Sequence, residues 1–465
     1  MNNKDAHRCF VSVLVLLGLL LFAGCNAPRD NLNTFNRQFE ACDYNGSALF
    51  AEGKISKRKN PARDDLLWSL QAATADRMSK DYQKSTEYFD KSESMLNYYD
   101  EQFSVGDIFG STLVNENVIP YRGEEYDGIM VNTYKALNFI AAGNMDLARV
   151  EFNRALDRQR RARENFAKEI NKLKTELDKK QSHEKYDIKA NVESPKTQAL
   201  LAQKYPGLYE FEAYPDFVNP FTTYMAGVFF NLIGDHSKAV DLLKEAYGMV
   251  QDNPYIAEDL YVTEKILDGQ GKLENTVWLI FENGLGPVKE EFRLDIPLFL
   301  VTQSVKYVGI ALPMLKYRNR AYQHLTIEAG DKSYTTSVVA EMDRVIQTEF
   351  SKDFKAILTR AIAAAAARAA AQYLFEQQNS SAGSIMSIAT AAYSFVTNAA
   401  DVRIWTSLPK EFQVARFPKP NDGKLRISPP VAAPLIIDIG SCNNAIVYVR
   451  ILTAGAEPVY DVMRF

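Results

Sequence analysis

The stretch that most constrains this chain runs from Tyr134 to Arg158, YKALNFIAAGNMDLARVEFNRALDR. Small residues stand at Ala136, Ala148 and Ala155, large ones at Phe139 and Phe152, and Gly143 sits between the two groups. On a helix Ala148, Phe152 and Ala155 recur at i, i+4 and i+7 and share one face. Ala136 and Phe139 make a matching face on the preceding segment. Gly143 with Asn144 supplies the break, where a tight turn between helices needs positive φ. Small residues let two backbones approach and the aromatics fill the gap that remains. The stretch is a helical hairpin.

A second copy lies at Thr223 to Tyr247. Gly227, Phe230, Gly234-Asp235, Ala239, Leu243 and Ala246 take the places of Ala136, Phe139, Gly143-Asn144, Ala148, Phe152 and Ala155. A degenerate copy precedes both, with Ala72, Ala73, Tyr82, Ser85 and Phe89 near the same offsets but no glycine at its turn. These hairpins resemble tetratricopeptide repeats, units that bury their faces fully only by stacking on neighbours. Their spacing departs from the tetratricopeptide period of about 34 residues, so inserted segments separate them. A compact helical domain over 61–274 is expected, and a long open superhelix is not.

Two of the inserted segments carry their own patterns. Phe166, Ile170, Leu173 and Leu177 form a short heptad stripe amid dense charge, read as a solvated helical arm, with a partner-binding prong as the alternative. Ser194-Pro195 then caps a small helix carrying Leu200 and Leu201. The aromatic run from Tyr205 to Gly227 fills the junction between repeats. On an exposed concave surface its Tyr209, Phe217 and Tyr224 would instead anchor a bound peptide.

The N-terminus gives an address. Lys4 and Arg8 precede an apolar run from Phe10 to Phe22, followed by Ala23-Gly24-Cys25. A core of about 13 residues fits a signal peptide. As a helix it spans about 20 Å, short of the roughly 30 Å a membrane anchor needs. Ala23-Gly24-Cys25 resembles the lipobox of bacterial lipoproteins, with Phe22 where Leu is commoner. The resemblance implies removal of residues 1–24 and acylation of the Cys25 thiol, two or three chains giving a stable anchor. Asn26 stands where inner-membrane lipoproteins often carry Asp, which favours the periplasmic face of the outer membrane. Residues 25–60 read as a polar tether with a basic cluster at Lys54, Lys57, Arg58, Lys59 and Arg63. Cys42 and Cys442 are left as two separate thiols or as one disulfide. A bridge would close a loop of about 400 residues, stabilising by about 6 kcal/mol on the chain-entropy model.

From Asn275 the periodicity changes to strands. They are expected at 276–281, 288–294, 305–312, 322–328 and 334–338, and after Asp401 at 412–417, 424–427, 435–439, 445–452 and 459–465. Gly440 to Asn444 reads as a hairpin turn. A helical insert at about 339–400 comprises Val339 to Phe350, an Ala-rich helix from Lys352 after a Ser351 cap, and Ser384 to Ala399. If extended, Asp401, Arg403 and Trp405 share a face. Arg403 would then pair with Asp401 and stack on Trp405, either pinning the insert to the sheet or facing a partner.

Composition narrows the function classes. A net charge of −4 argues against a general nucleic-acid binder. His7, His183, His236 and His324 show no metal-ligand spacing. No GxSxG, HExxH or P-loop pattern occurs. Glu290 and Glu291 would point to opposite faces of a strand, so they form no carboxylate pair. No catalytic residue, metal or cofactor is assigned.

The lipobox, TYKALNFIAAGNMDLARVEFNRA, DFVNPFTTYMAG, FENGLGPVKEE and ADVRIWTSLPKEFQVARF together resemble a family of uncharacterised bacterial lipoproteins with tetratricopeptide-like N-terminal halves. That resemblance implies an α+β multidomain chain. An all-α tetratricopeptide-like domain is followed at 275–465 by a mixed, largely antiparallel β domain with the Ala-rich insert. A lipid tether followed by repeat hairpins without catalytic groups points to a lipid-anchored scaffold for protein partners in cell-envelope assembly or maintenance. A narrower version resembles the lipoprotein activators of peptidoglycan synthases. The alternative is a carbohydrate-acting enzyme with its site between the helical and β domains.

Overall fold

A computed structural model describes residues 27–58, 60–102, 119–181, 193–205, 219–299, 305–376 and 399–465. Its first part is helical: α1 Ala27–Glu40, α2 Tyr44–Glu52, α3 Asp65–Met78, α4 Tyr82–Gln102, α5 Glu125–Ala141, α6 Met145–Gln181, α7 Pro195–Lys204, α8 Pro220–Leu232, α9 His236–Met249 and α10 Pro254–Leu267. Four hairpins arise, α1/α2, α3/α4, α5/α6 and α8/α9, and one device closes all of them. The second residue after each first helix is left-handed: Cys42 (φ 62), Lys80 (φ 63), Gly143 (φ 76) and Gly234 (φ 85). Next comes Asp43, Asp81, Asn144 or Asp235, whose N–H donates to the carbonyl five residues back at 2.8–3.0 Å. That closure satisfies the carbonyls a helix end leaves open. The same Asp or Asn side chain accepts from the backbone three residues on, capping the second helix. Four residues past each cap stands a small buried residue, Ser47, Ser85, Ala148 or Ala239.

The stretch read as a tether is therefore the first hairpin. Leu32, Phe35 and Phe39 of α1 are buried, and Phe35 and Phe50 pack edge-on to Trp68. Polar residues between the apolar positions masked this stripe, and Cys42 occupies the turn where glycine would have announced it. The basic cluster is partly committed as well. Lys54 donates to Asn31 Oδ1 at 2.9 Å and lies over the Phe50 ring, and Arg63 pairs with Asp64 at 2.8 Å.

The second part holds eleven strands among the described residues: β1 Thr276–Asn283, β2 Val288–Phe299, β3 Val305–Lys316, β4 Thr326–Ala329, β5 Lys332–Thr335, β6 Ser337–Glu341, β7 Glu411–Pro418, β8 Lys424–Ser428, β9 Leu435–Asp438, β10 Ala445–Ile451 and β11 Val459–Arg464. They form a five-stranded sheet ordered β11-β10-β1-β7-β6, a four-stranded sheet β5-β4-β8-β9 and the hairpin β2-β3. Every pairing is antiparallel except β1 with β10. Gly440 to Asn444 joins no hairpin, because β9 and β10 lie in different sheets. Strand β10 is fully buried and apolar apart from Tyr448 and Arg450 on one face, so it takes an interior place beside β1. A single helix α11, Met342–Glu376, replaces the two expected around Ser351, whose hydroxyl accepts from Gln347 at 2.7 Å within that helix. Val339 belongs to β6. Ser384 to Ala399 lie outside the described residues save Ala399. Among the described residues no helix is long and apolar enough to cross a membrane.

Period-two alternation in the five-stranded sheet decides the layering. Trp278, Ile280, Phe412, Val414, Ile446 and Tyr448 face the helices and join their core. Val277, Leu279, Phe281, Ala415, Phe417 and Val447 face the other way and pack on Ile327, Leu425, Ile427 and Ile437 of the four-stranded sheet. The helical layer, the large sheet and the small sheet are stacked in that order.

Candidate functional site

The inner faces of the hairpins are covered by the chain itself. Helix α3 is buried along its whole length, and α5 and α8 over nearly all of theirs. Phe221 of α8 stacks on Phe412 of β7 with ring centroids 3.6 Å apart. Tyr224, a candidate peptide anchor, is a core residue instead. Its hydroxyl donates to Asp259 Oδ2 at 2.7 Å, and Asp259 also accepts from Trp278 Nε1 at 3.0 Å and pairs with Arg416 at 2.8 Å. The sheet supplies the cover that a peptide would otherwise give. Tyr209 and Phe217 lie outside the described residues, as does Cys25.

Of the repeat-packing positions, Ala136, Ala148, Phe152, Ala155, Phe230, Ala239, Leu243 and Ala246 are buried and Phe139 is half-buried. Gly227 is a contact point, since a Cβ there would stand 3.0 Å from the Leu243 side chain. Gly143 and Gly234 have open space around them, so their role is backbone conformation alone.

Asp401, Arg403 and Trp405 are clamps, with no free face for a partner. Arg403 is bonded to Asp401 through Nε at 2.8 Å and Nη2 at 2.7 Å, and its Nη1 reaches Asp64 Oδ1 at 2.8 Å and the Ile119 carbonyl at 2.9 Å. Its guanidinium lies over Tyr121 rather than the expected Trp405. Trp405 enters the helical layer between Phe89 and Tyr134, its Nε1 donating to Thr74 Oγ1 at 2.9 Å. The segment carries no strand, so strand alternation does not hold its side chains on one face.

Burial by itself raises the Asp401 carboxyl, but Arg403 outweighs it and holds the group below the usual carboxylate range. A lowered folded pKa contributes stability above the unfolded value near 3.9 and loses it as pH falls through the folded value. Asp401→Asn is thus expected to melt below wild type at neutral pH, the gap narrowing as pH falls below the unfolded value near 3.9. Thermal melts by circular dichroism across that range check it. A gap that persists at the acid end contradicts the assignment.

Cys42 and Cys442 are free and half-buried, so the alternative of a bridge is not realised in this structure. Cys42 is committed to the left-handed position of the first turn.

With the inner faces sealed, the outer surface offers an open groove between α4 and α6, with a volume of about 710 Å³. Glu93, Ser94 and Asn97 line one side, and Asn153, Arg154, Asp157 and Arg158 the other. The lining carboxylate Glu93 is paired with buried Lys135 of α5, whose ammonium meets Asp90 at 2.7 Å, Glu93 at 2.7 Å and Glu151 at 3.1 Å. Arg158 donates to Asn132 at 2.9 Å and Asn97 at 2.7 Å, locking the two walls together. Burial pushes the Glu93 carboxyl up, yet Lys135 and Asn132 overcome this and lower it. Burial likewise works against the Lys135 ammonium, and the three carboxylates raise it. Both stay charged at neutral pH. The groove is a rigid, polar, mixed-charge surface suited to contacts with a polar partner. Sequence spacing does not reveal it, because the charged cluster beneath it joins residues from three helices.

No protein-family model matches the sequence, and the search of curated proteins gives no match. Among solved structures, a tetratricopeptide repeat protein from Parabacteroides merdae is similar over 51% of this chain and 98% of its own, with 12% identity and a TM-score of 0.13. So low a score carries no argument. The tetratricopeptide-like character rests on the four hairpins and their shared turn.

Proposed function

We propose that this chain is a scaffold that meets protein partners through the outer groove between α4 and α6, while its own sheet occupies the inner faces. The observation that carries this reading is that groove, built on stacked hairpins of a kind that ordinarily serve as binding frameworks. The lipobox supports a lipid anchor at Cys25 and an address on the periplasmic face of the outer membrane. That address supports partners in envelope assembly or maintenance, activation of peptidoglycan synthesis being the narrower version. Where the carbohydrate-acting alternative needs a cleft, between helices and sheet, Phe221, Phe412, Trp278 and Trp405 fill the space.

Photo-crosslinking in envelopes tests the scaffold. A crosslinker at Asn97 or Asn153 is expected to capture a discrete protein, and one at Lys332 on β5 is not. No capture from the groove, or the same capture from both places, would sink the proposal. Cys25→Ser is expected to release the chain from membranes, and continued retention would contradict the anchor.

A further inference from the structure

A second group of polar residues lies away from the groove, where the N-terminus of α5 meets α11. Glu124 immediately precedes α5, and Glu349 and Asp353 lie four residues apart on α11, hence on one face. One carboxylate oxygen from each lies within 4.8 Å of the other two. Acidic clusters are common on protein surfaces, but this one is set apart by what surrounds it.

Three oxygens beside it are buried and make no hydrogen bond: Glu349 Oε2, Asp127 Oδ1 and the Tyr126 hydroxyl. Their residues are at most 3% exposed. Asp127 Oδ2 accepts from the Glu124 N–H at 3.0 Å, and Tyr126 lies in the same first turn of α5, so both stand next to Glu124. Buried oxygens without partners are costly, and several together around one set of carboxylates call for a common partner.

Glu124, Asp127, Glu349 and Asp353 bring four carboxyl groups together, and Lys289 and Lys352 are among the cations that face them. Lys289 stands 3.3 Å from Glu124 Oε1 and Lys352 stands 3.2 Å from Glu349 Oε1. Both are longer than the roughly 2.7–2.9 Å of a charge-assisted bond. The Glu125 N–H also donates to Glu349 Oε1, so Oε2 is left over. The nearby Arg403 is engaged by Asp401 and Asp64.

We propose that Glu124, Glu349 and Asp353 form a site for a hard divalent cation, Ca²⁺ or Mg²⁺, with water completing its shell. Such ions take carboxylate oxygens and keep water where the protein supplies few ligands. Bound water would also reach the orphan oxygens of Asp127 and Tyr126. The ion would tie α11 to the helical layer and so join the two parts of the chain.

Calorimetric titration of the full chain, stripped with chelator and held in detergent, tests this with Ca²⁺ and Mg²⁺ in separate arms. About one ion per chain is expected for at least one of them, with a thermal midpoint that climbs as that ion is added. Glu349→Gln and Asp353→Asn are each expected to weaken binding by at least about tenfold, the scale on which even outer-shell changes act. Glu328→Gln, on exposed β4, is expected to bind as wild type does. Neither heat nor a midpoint shift up to about 10 mM, well above the weakest ordinary calcium sites, overturns the proposal. So does wild-type affinity in a variant that circular dichroism shows to be folded. If Glu349→Gln fails to fold, Asp353→Asn, at a less buried position, decides.

Discussion

Trp405→Ala is expected to destabilise the whole chain by about 3–5 kcal/mol, the range for emptying a buried large aromatic site. Trp405 is 1% exposed and sits among Thr74 of α3, Phe89 of α4 and Tyr134 of α5. Its loss leaves a cavity beside Phe89 and Tyr134 and takes a donor from the Thr74 hydroxyl. The flanking residues act with it. Gln71 donates to Thr406 at 2.8 Å and accepts from Ser407 at 2.6 Å, so the two residues after Trp405 are held to α3 as well. Because helices and sheet share one core, the loss is expected in a single unfolding transition seen equally by helix and strand signals. Urea unfolding followed by circular dichroism measures it. A cost below about 1 kcal/mol, the scale of an ordinary surface substitution, would show that this segment does not hold the layers together.

A second large effect is expected at Glu282 and Arg450, partners across the parallel pair β1 and β10. Arg450 Nε lies 2.9 Å from Glu282 Oε2, with both residues almost fully buried. The N–H does not point along that line, since both atoms lack a hydrogen bond, so the contact is an ion pair only. Tyr448 donates to the other carboxylate oxygen, and Arg450 also reaches the Ser407 carbonyl. Arg450→Leu strands a buried carboxylate and is expected to cost about 3–5 kcal/mol. Glu282→Leu/Arg450→Leu is expected to recover much of that, because two well-packed apolar residues need no mutual compensation. A double variant as unstable as the sum of the singles would show that the pair is not a closed unit.

How far the sequence could be read follows from the range of each signal. The turn at Gly143-Asn144 and its copy at Gly234-Asp235 were legible, because a left-handed glycine and a capping Asx are adjacent in the chain. Their equivalents at Lys80-Asp81 and Cys42-Asp43 have the same geometry without the glycine. The former was still recognised from Ala73, Ser85 and Phe89, and the latter passed for a tether. Strand positions were legible from alternation, but partners were not. Nothing local in Ala445 to Ile451 says that it pairs in parallel with β1 rather than folding back on β9. Likewise Asp401 and Arg403 were seen to pair, being two residues apart. The third member, Asp64, lies 339 positions away.

The sequence by itself determined the hairpins, the alternating strands, a candidate lipid attachment and the lack of any recognised catalytic motif, since each depends on residues within a few turns of one another. Only the tertiary structure decided that the inner faces of the hairpins are filled by the chain's own sheet and by Trp405. The reason is physical. An apolar helix face specifies only that something must cover it, and a sheet of this chain meets that demand as well as a bound peptide would. With that face taken, the surface proposed for partners is the outer groove between α4 and α6, where Glu93 of α4 and Arg158 of α6 are held by Lys135 and Asn132 of α5.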